Sequence, residues 1–306
     1  MANVTTDFLA AMMTNYRVIF KQALDEAFAE FTLWKEIASL YPSTTDKETY
    51  AWMGAVATMN EWKDQRQYQA MKAYDYTLTN KHYEGTIEID RDAYEDDKYG
   101  IMNPRIQGLA RRAIRHYNQM VASQLDDGAT LLAYDAGAFF KTNRTIGSSG
   151  TIDNLKTGAY SGSSAEILTA MALAYQTMMA YKDDKGVPMG LEPDTIVCSG
   201  TMKLAILNAL LPGVAGTTRP EAGIFSPSRV FATPWVDLDT DDWYVLCTKA
   251  EVKPLIFQLR KDVEFVSLTS PDNDHVFKNK TFLYGVDDRF AVGYGDPRTA
   301  IKIVDS

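Results

Sequence analysis

Between Tyr50 and Asp97 aromatic and β-branched residues are dispersed among Asn60, Glu61, Lys63, Asp64, Gln65, Arg66 and Gln67, with no sustained helical period. The mixture is too polar for core. The return run through Tyr74, Thr77, Thr79, His82, Thr86, Ile87 and Ile89 is rich in strand formers, so the pattern predicts a long two-stranded excursion. Arms of roughly 15 residues at about 3.4 Å each reach on the order of 50 Å. Such an arm cannot bury both faces within its own subunit, and a lone hairpin is marginal in water. It requires a partner. Trp52, Trp62, Lys63, Arg66 and Tyr68 are its candidate subunit contacts. The arm spans Tyr50 to about Glu84; Gly85 to Asp97 reads as the strand and turn that anchor it.

Ahead of this segment, Phe8, Met12, Tyr16, Ile19, Ala23, Ala27 and Phe31 follow a helical spacing after the caps Thr5 or Thr6. Pro42 to Asp46 then reads as a loop. Behind it, Asn103 and Pro104 start a helix with Ile106, Leu109, Ala113, Tyr117, Met120 and Leu125 on one face, ending at Asp126, Asp127 and Gly128. Residues 141 to 163, rich in Gly, Ser, Thr and Asn, predict a mobile surface loop or the boundary of a second unit. A capping box, Ser163 with Glu166, opens the next helix; Thr195 to Cys198 is a short buried strand leading into a helix from Ser199 to Leu211. The last hundred residues read as strands at Trp243 to Thr248, Leu255 to Leu259, Val263 to Leu268, Phe282 to Val286 and Phe290 to Tyr294, separated by polar turns. The predicted class is mixed α+β with antiparallel sheet.

At 306 residues the chain needs no disulfide to hold a core, and Cys198 and Cys247 sit in apolar runs suited to a reducing cytoplasm. No stretch is long and apolar enough to span a bilayer, and no signal peptide opens the chain. The reading is a soluble protein made inside the cell. A net charge of −9 leaves no global basic field for nucleic acid. The basic cluster Arg105, Arg111, Arg112 and Arg115 lies mostly off the apolar face of its helix. Ion pairs between subunits are favoured for it over contact with phosphates.

Enzyme signatures are lacking. His82, His116 and His275 stand in no known motif, and there is no Gly-x-Ser-x-Gly elbow, phosphate loop or His-Glu-x-x-His pair. The acidic groups Asp90 to Asp97 and Asp272 to His275 read as solvated turns ahead of metal sites, so neither metal nor cofactor is expected.

The order of elements resembles the Hong Kong 97-type fold of tailed-phage major capsid proteins. Short motifs sharpen the resemblance: Tyr50-Ala-Trp-Met-Gly54, Glu61-Trp62, Tyr83-Glu-Gly-Thr86, Ile89-Asp-Arg-Asp92, Glu95-Asp-Asp97, Gly100-Ile101, Lys253-Pro-Leu-Ile-Phe-Gln258, Asp274-His-Val-Phe277 and Gly293-Tyr-Gly295 resemble the Mu-like phage major head subunit family, often called gpT. The resemblance implies an N-terminal helical arm over residues 1–48 and an E-loop over 49–84. It places a peripheral domain over 85–160 with its spine helix at 103–126, an axial domain over 161–250, and closing strands of the peripheral domain over 251–306. It implies a non-catalytic shell subunit that assembles as pentamers and hexamers around double-stranded DNA in the bacterial cytoplasm and ends in the virion capsid. A portal, a maturation protease and a separate scaffold protein are the implied partners. Two alternatives stand beside it: a bacterial nanocompartment shell, and a hydrolase on the 160–250 unit using Ser199 or Cys198. Lys63 and Lys72 are read as surface lysines, with no isopeptide partner identifiable.

Overall fold

The computed structural model describes residues 6–53, 73–91, 102–159, 163–210, 229–232, 238, 241–270 and 272–305. Helix α1 (Thr6–Glu30) and the single turn and a half of α2 (Leu33–Ile37) lead into strand β1 (Ala38–Pro42). Strands β2 (Lys47–Met53) and β3 (Ala73–Thr79) pair antiparallel as a separate two-stranded ribbon, and Asn80 joins β3 to β4 (Lys81–Asp90). Helix α3 (Met102–Asp126) follows; 25 residues make a rod of about 37 Å.

The first sheet has the order β1-β11-β12-β4, with β11 spanning Leu255–Leu268 and β12 spanning Thr281–Tyr294. Its N-terminal strands lie at the two edges and the late strands fill the middle. Helices α1 and α3 cover one face: Tyr16, Phe20 and Ala23 meet Ile106, Leu109 and Ala110 over Phe282, Tyr284 and Val286. Farther along, Trp34, Tyr117, Phe257 and Phe290 interlock, with Trp34–Tyr117 edge to face at 5.3 Å and Phe257–Phe290 stacked at 5.0 Å.

The second sheet has the order β7-β13-β10-β8-β9: Leu155–Gly158, Ala300–Asp305, Trp243–Leu246, Thr195–Cys198 and Arg229–Ala232. Helices α4 (Ser164–Met179) and α5 (Met202–Leu210) pack Ile167, Met171, Ala174 and Ile206 against Ile196, Trp243 and Ile303. The Ser163 hydroxyl caps α4 by accepting from the Glu166 N–H at 3.3 Å. The opposite face, with Val197, Tyr244 and Leu246, joins the core of the first sheet. Buried Lys302 holds this joint, 2.8 Å from Asp242 and 4.0 Å from Asp126 at the end of α3; the Tyr244 hydroxyl donates to the same Asp126 at 3.1 Å.

Four expectations change. The predicted Pro42–Asp46 loop loses Pro42 to β1, a strand hidden from periodicity because it is short and pairs in parallel with β11 through Ala38↔Leu255 to Pro42↔Leu259. The polar stretches near residues 261 and 287 are not turns. They face each other inside one continuous hairpin, where Lys261 lies 2.7 Å from Asp287 and the register shifts between Leu259, Lys261 and Glu264. The described part of the Gly- and Ser-rich region, residues 141–159, is built into the fold: β5 (Arg144–Thr145) pairs with β6 (Thr151–Ile152), and Ile152 and Asn154 are fully buried. Arg144, 1% exposed, is neutralised by Asp135 at 2.9 Å and donates to the Phe139 carbonyl at 3.0 Å. These contacts satisfy the buried guanidinium. The hairpin turn of β11 and β12 is the short helix α6 (Asp274–Asn279), where the sequence predicts a polar turn.

Candidate functional site at the root of the hairpin

Gln258 lies in the apolar run Leu255 to Leu259 with no exposed surface, so its amide must be satisfied inside the protein. Its Oε1 accepts from the Tyr50 hydroxyl at 2.9 Å, and its Nε2 donates to Asn80 Oδ1 at 2.7 Å. Asn80 Nδ2 in turn donates to Ser43 Oγ and to the Thr45 carbonyl, both at 2.9 Å. The Ser43 hydroxyl reaches Glu48 Oε1 at 2.9 Å, where the N–H groups of Thr44 and Thr45 also donate, at 3.0 and 3.2 Å. Arg289 on β12 pairs with Asp46. The start of β2 and the end of β3, which together form the root of the ribbon, are therefore fastened to the middle of the first sheet by one connected polar network.

The donors around Glu48, led by the Thr44 N–H, hold its carboxyl below the ordinary glutamate range. That contribution is present above the ordinary range and disappears as pH falls through the lowered value. Burial, reinforced by the charge of Glu48, pushes the Tyr50 hydroxyl up to about 12 and keeps it a donor.

An apolar contact completes the root. Leu78 packs on Ile256 and Ala291, flanked by Tyr50 and Tyr76. Gly293 makes this approach possible, since a Cβ there would stand 2.5 Å from Leu78 Cδ2 and 3.0 Å from the Tyr76 oxygen. The next residue, Tyr294, donates its N–H to the Tyr76 oxygen at 3.1 Å and its hydroxyl to the Gln124 carbonyl of α3 at 2.8 Å. Lys253 Nζ donates to the Lys35 carbonyl at 2.7 Å, closing β11 onto α2. Tyr50, Lys253 to Gln258 and Gly293 to Gly295, far apart in sequence, thus meet at one joint between hairpin, sheet and long helix.

Tyr50→Phe removes one hydrogen bond and leaves a buried amide oxygen short of a donor, at a cost of about 1 kcal/mol. Hydrogen exchange is expected to speed up in β2 and β3 and to stay unchanged in β8 and β10. Uniform acceleration would show that the network does not act locally.

Of the predicted contacts, Trp52 lies on β2 opposite Tyr74 in the ladder, while Trp62, Lys63, Arg66 and Tyr68 lie outside the described residues. So do Lys72 and the acidic run from Asp92 to Asp97. Arg105, Arg111 and Arg112 are exposed on α3, and Arg111 pairs within the chain, 3.0 Å from Glu30. The Arg115 guanidinium lies 5.5 Å from the Phe31 ring centre. Sequence reasoning passed over Gln258, Asn80, Ser43 and Glu48; the one visible signal was a lone amide inside a buried apolar run.

The residues offered for hydrolysis have structural surroundings. Burial pushes the Cys198 thiol up to about 12, the opposite of what a thiolate nucleophile needs. Ser199 Oγ accepts from the Met202 N–H at 3.3 Å at the start of α5 and lies 2.7 Å from Thr201 Oγ1. His116, its pKa lowered by burial, packs edge-on against Tyr83 at 4.8 Å.

The model of the Mu-like prophage major head subunit gpT family matches residues 9–169 and 228–304. The chain belongs to this family. The gpT match takes in both ends of the joint, hairpin strands and closing strands alike. A major capsid protein of Escherichia phage Mu is 29% identical over 300 residues, covering 98% of this chain and 74% of its own. The Mu-like prophage FluMu major head subunit of Haemophilus influenzae is 27% identical over 295 residues, covering 96% and 72%. Among solved structures, a procapsid of bacteriophage JBD30 aligns with a TM-score of 0.62 and 25% identity, over 99% of this chain and 77% of that one. This gpT-family chain has the Hong Kong 97-type capsid fold.

Proposed function

We propose that the chain is the major capsid subunit of a tailed phage or prophage, and that the hairpin root is the fixed end of its intersubunit arm. The observation that carries this reading is the root itself. A two-stranded ribbon is marginal alone, yet here its base is tied into a buried network of Tyr50, Gln258, Asn80 and Ser43. So much ordering at the base suits a segment whose remaining length binds another copy.

In this reading the β2–β3 ribbon is the E-loop, the first sheet with α3 as spine forms the peripheral domain, and residues 161–250, with α4, α5, β8, β9 and β10, form the axial domain, whose sheet β7 and β13 join from the flanking ranges. Trp52, Trp62, Lys63, Arg66 and Tyr68 meet a neighbouring subunit, as do Arg105 and Arg112. The subunit assembles in the host cytoplasm as pentamers and hexamers on a separate scaffold, around a portal, is matured by a protease, and encloses double-stranded DNA. Its acidic balance suits a wall that releases the genome, since each phosphate neutralised by a cation adds affinity. The shell is a structure without turnover.

Electron microscopy and light scattering of the purified protein test the reading, with and without a co-expressed scaffold. Closed shells are expected, and they should form equally well with Cys198→Ala and Ser199→Ala. A species that stays monomeric under every assembly condition would sink the proposal.

A further inference from the structure

Two features of the first sheet are left uncovered by the described residues. At the β1 edge, Trp34, Tyr41, Phe257 and Leu259 wall an open cleft of about 390 Å³, with half-exposed Leu40 beside them. Arg260 and Asp262 line its rim, both exposed, and neither makes an ion pair among the described residues. At the far end of β11, helix α6 presents Phe277, which at 79% is the most exposed large apolar side chain among the described residues.

Phe277 is held out, not frayed. Its neighbour Val276 is buried against the α1–α3 core. Asn273 caps the helix by accepting from the His275 N–H at 2.9 Å, and Lys280 closes it in the left-handed region at φ 53°. Asp272 and Asp274 stand before the ring, and Lys278 and Lys280 after it. Asp274 and Lys278 pair with each other at 2.7 Å on the open surface, an arrangement weak enough to exchange partners.

Knob and cleft match in three respects. A cavity of about 150 Å³ accepts a benzene ring, so the cleft has room for the Phe277 side chain. Its walls are apolar and aromatic, suited to an edge-on or offset ring. Its rim carries one cation and one anion, and helix α6 itself carries one of each in Lys278 and Asp274. Between Asp262 and Leu268 the strand rises roughly 20 Å, so a subunit cannot fill its own cleft. Contact between the opposite ends of one sheet is head to tail, a geometry that gives rings where its rotation closes.

Building on the shell reading, we infer that Phe277 of one copy seats in the β1-edge cleft of a second copy, with Asp274 turned to Arg260 and Lys278 to Asp262. The test is a cross-link in assembled particles carrying Leu40→Cys with Phe277→Cys. The native Cys198 and Cys247 are buried and leave the background low. Mild oxidation and a non-reducing gel are expected to give a ladder of dimers, trimers and larger species from the double variant, and monomer from either single variant. Dimers from Phe277→Cys alone would mean that the knobs meet each other, and would overturn the inference. Shells of the double variant that form without a ladder would also overturn it.

A charge exchange supplies a second readout that needs no thiol. Arg260→Asp and Asp274→Arg are each expected to cut shell yield about tenfold, and together to restore most of it. Unaltered yield in both single variants, or no recovery in the pair, counts against the contact. Absence of shells from the unmodified protein would instead strike the shell reading first.

Discussion

Gly295→Ala is expected to lower stability by about 3 kcal/mol and the thermal midpoint by roughly 10 °C. A Cβ at this position would lie 2.0 Å from the Lys253 carbonyl oxygen and 3.1 Å from that of Pro254. Backbone cannot swing aside as a side chain does, and the Gly295 N–H is already committed to Pro254 O at 2.8 Å. The start of β11 would have to separate from the end of β12, taking Gln258 and the hairpin root with it. Gly293→Ala, two residues earlier, runs first into side chains, the methyl groups of Leu78 and the Tyr76 oxygen. It should cost less, with its effect confined to faster exchange in β3. Thermal melts of the two variants, with hydrogen exchange resolved by strand, check both halves; equal losses would show that the backbone contact is not what matters.

Asp288→Asn is expected to stabilise the protein at neutral pH. Asp288 is 5% exposed on the helix-facing side of β12, where the Tyr117 hydroxyl reaches it but Oδ1 finds no partner among the described residues. Burial, with Asp287 adding like charge, pushes its carboxyl up to about 6 from 3.8. A raised acid favours the folded state while protonated. Its contribution is therefore complete below about pH 4, declines as pH rises through about 6, and is a net penalty on the order of 2–3 kcal/mol above that. The neutral amide escapes the penalty. Melts at pH 4.5, 6 and 7.5 should show a gap between variant and parent that widens with pH. A gap that is constant with pH would mean that charge is not the cause.

Much of this architecture is legible in the chain. The long rod of α3 announces itself in Ile106, Leu109, Tyr117 and Leu125, and α4 in the Ser163 cap, because one buried stripe and one satisfied N–H leave a local trace. The hairpin strands are readable from Tyr74, Thr77 and Thr79 for the same reason. What sequence hides is pairing at a distance. Lys261 and Asp287 look like turn residues one at a time and become a mid-strand ion pair only when 26 residues of chain fold back. Asn154 sits in a stretch that reads as loop, yet its amide donates to the carbonyls of Phe139 and Pro297, the latter 143 residues away. The root itself is of this kind. Gln258 is an anomaly in an apolar run until Tyr50 and Asn80 arrive from the other end of the molecule.

The strand order of the first sheet also sets a timetable. Strands β1 and β4 leave the ribosome early, but the two strands that must lie between them begin only at Leu255. At about 5–20 residues per second, a nascent chain spends many seconds with its hairpin made and nothing to fasten it to. Gln258 and Gly293, the anchors of that hairpin, are synthesised long after its own strands. A polysome therefore carries chains whose hairpins have no firm base, and competence to join a growing lattice is conferred only once β11 and β12 have emerged.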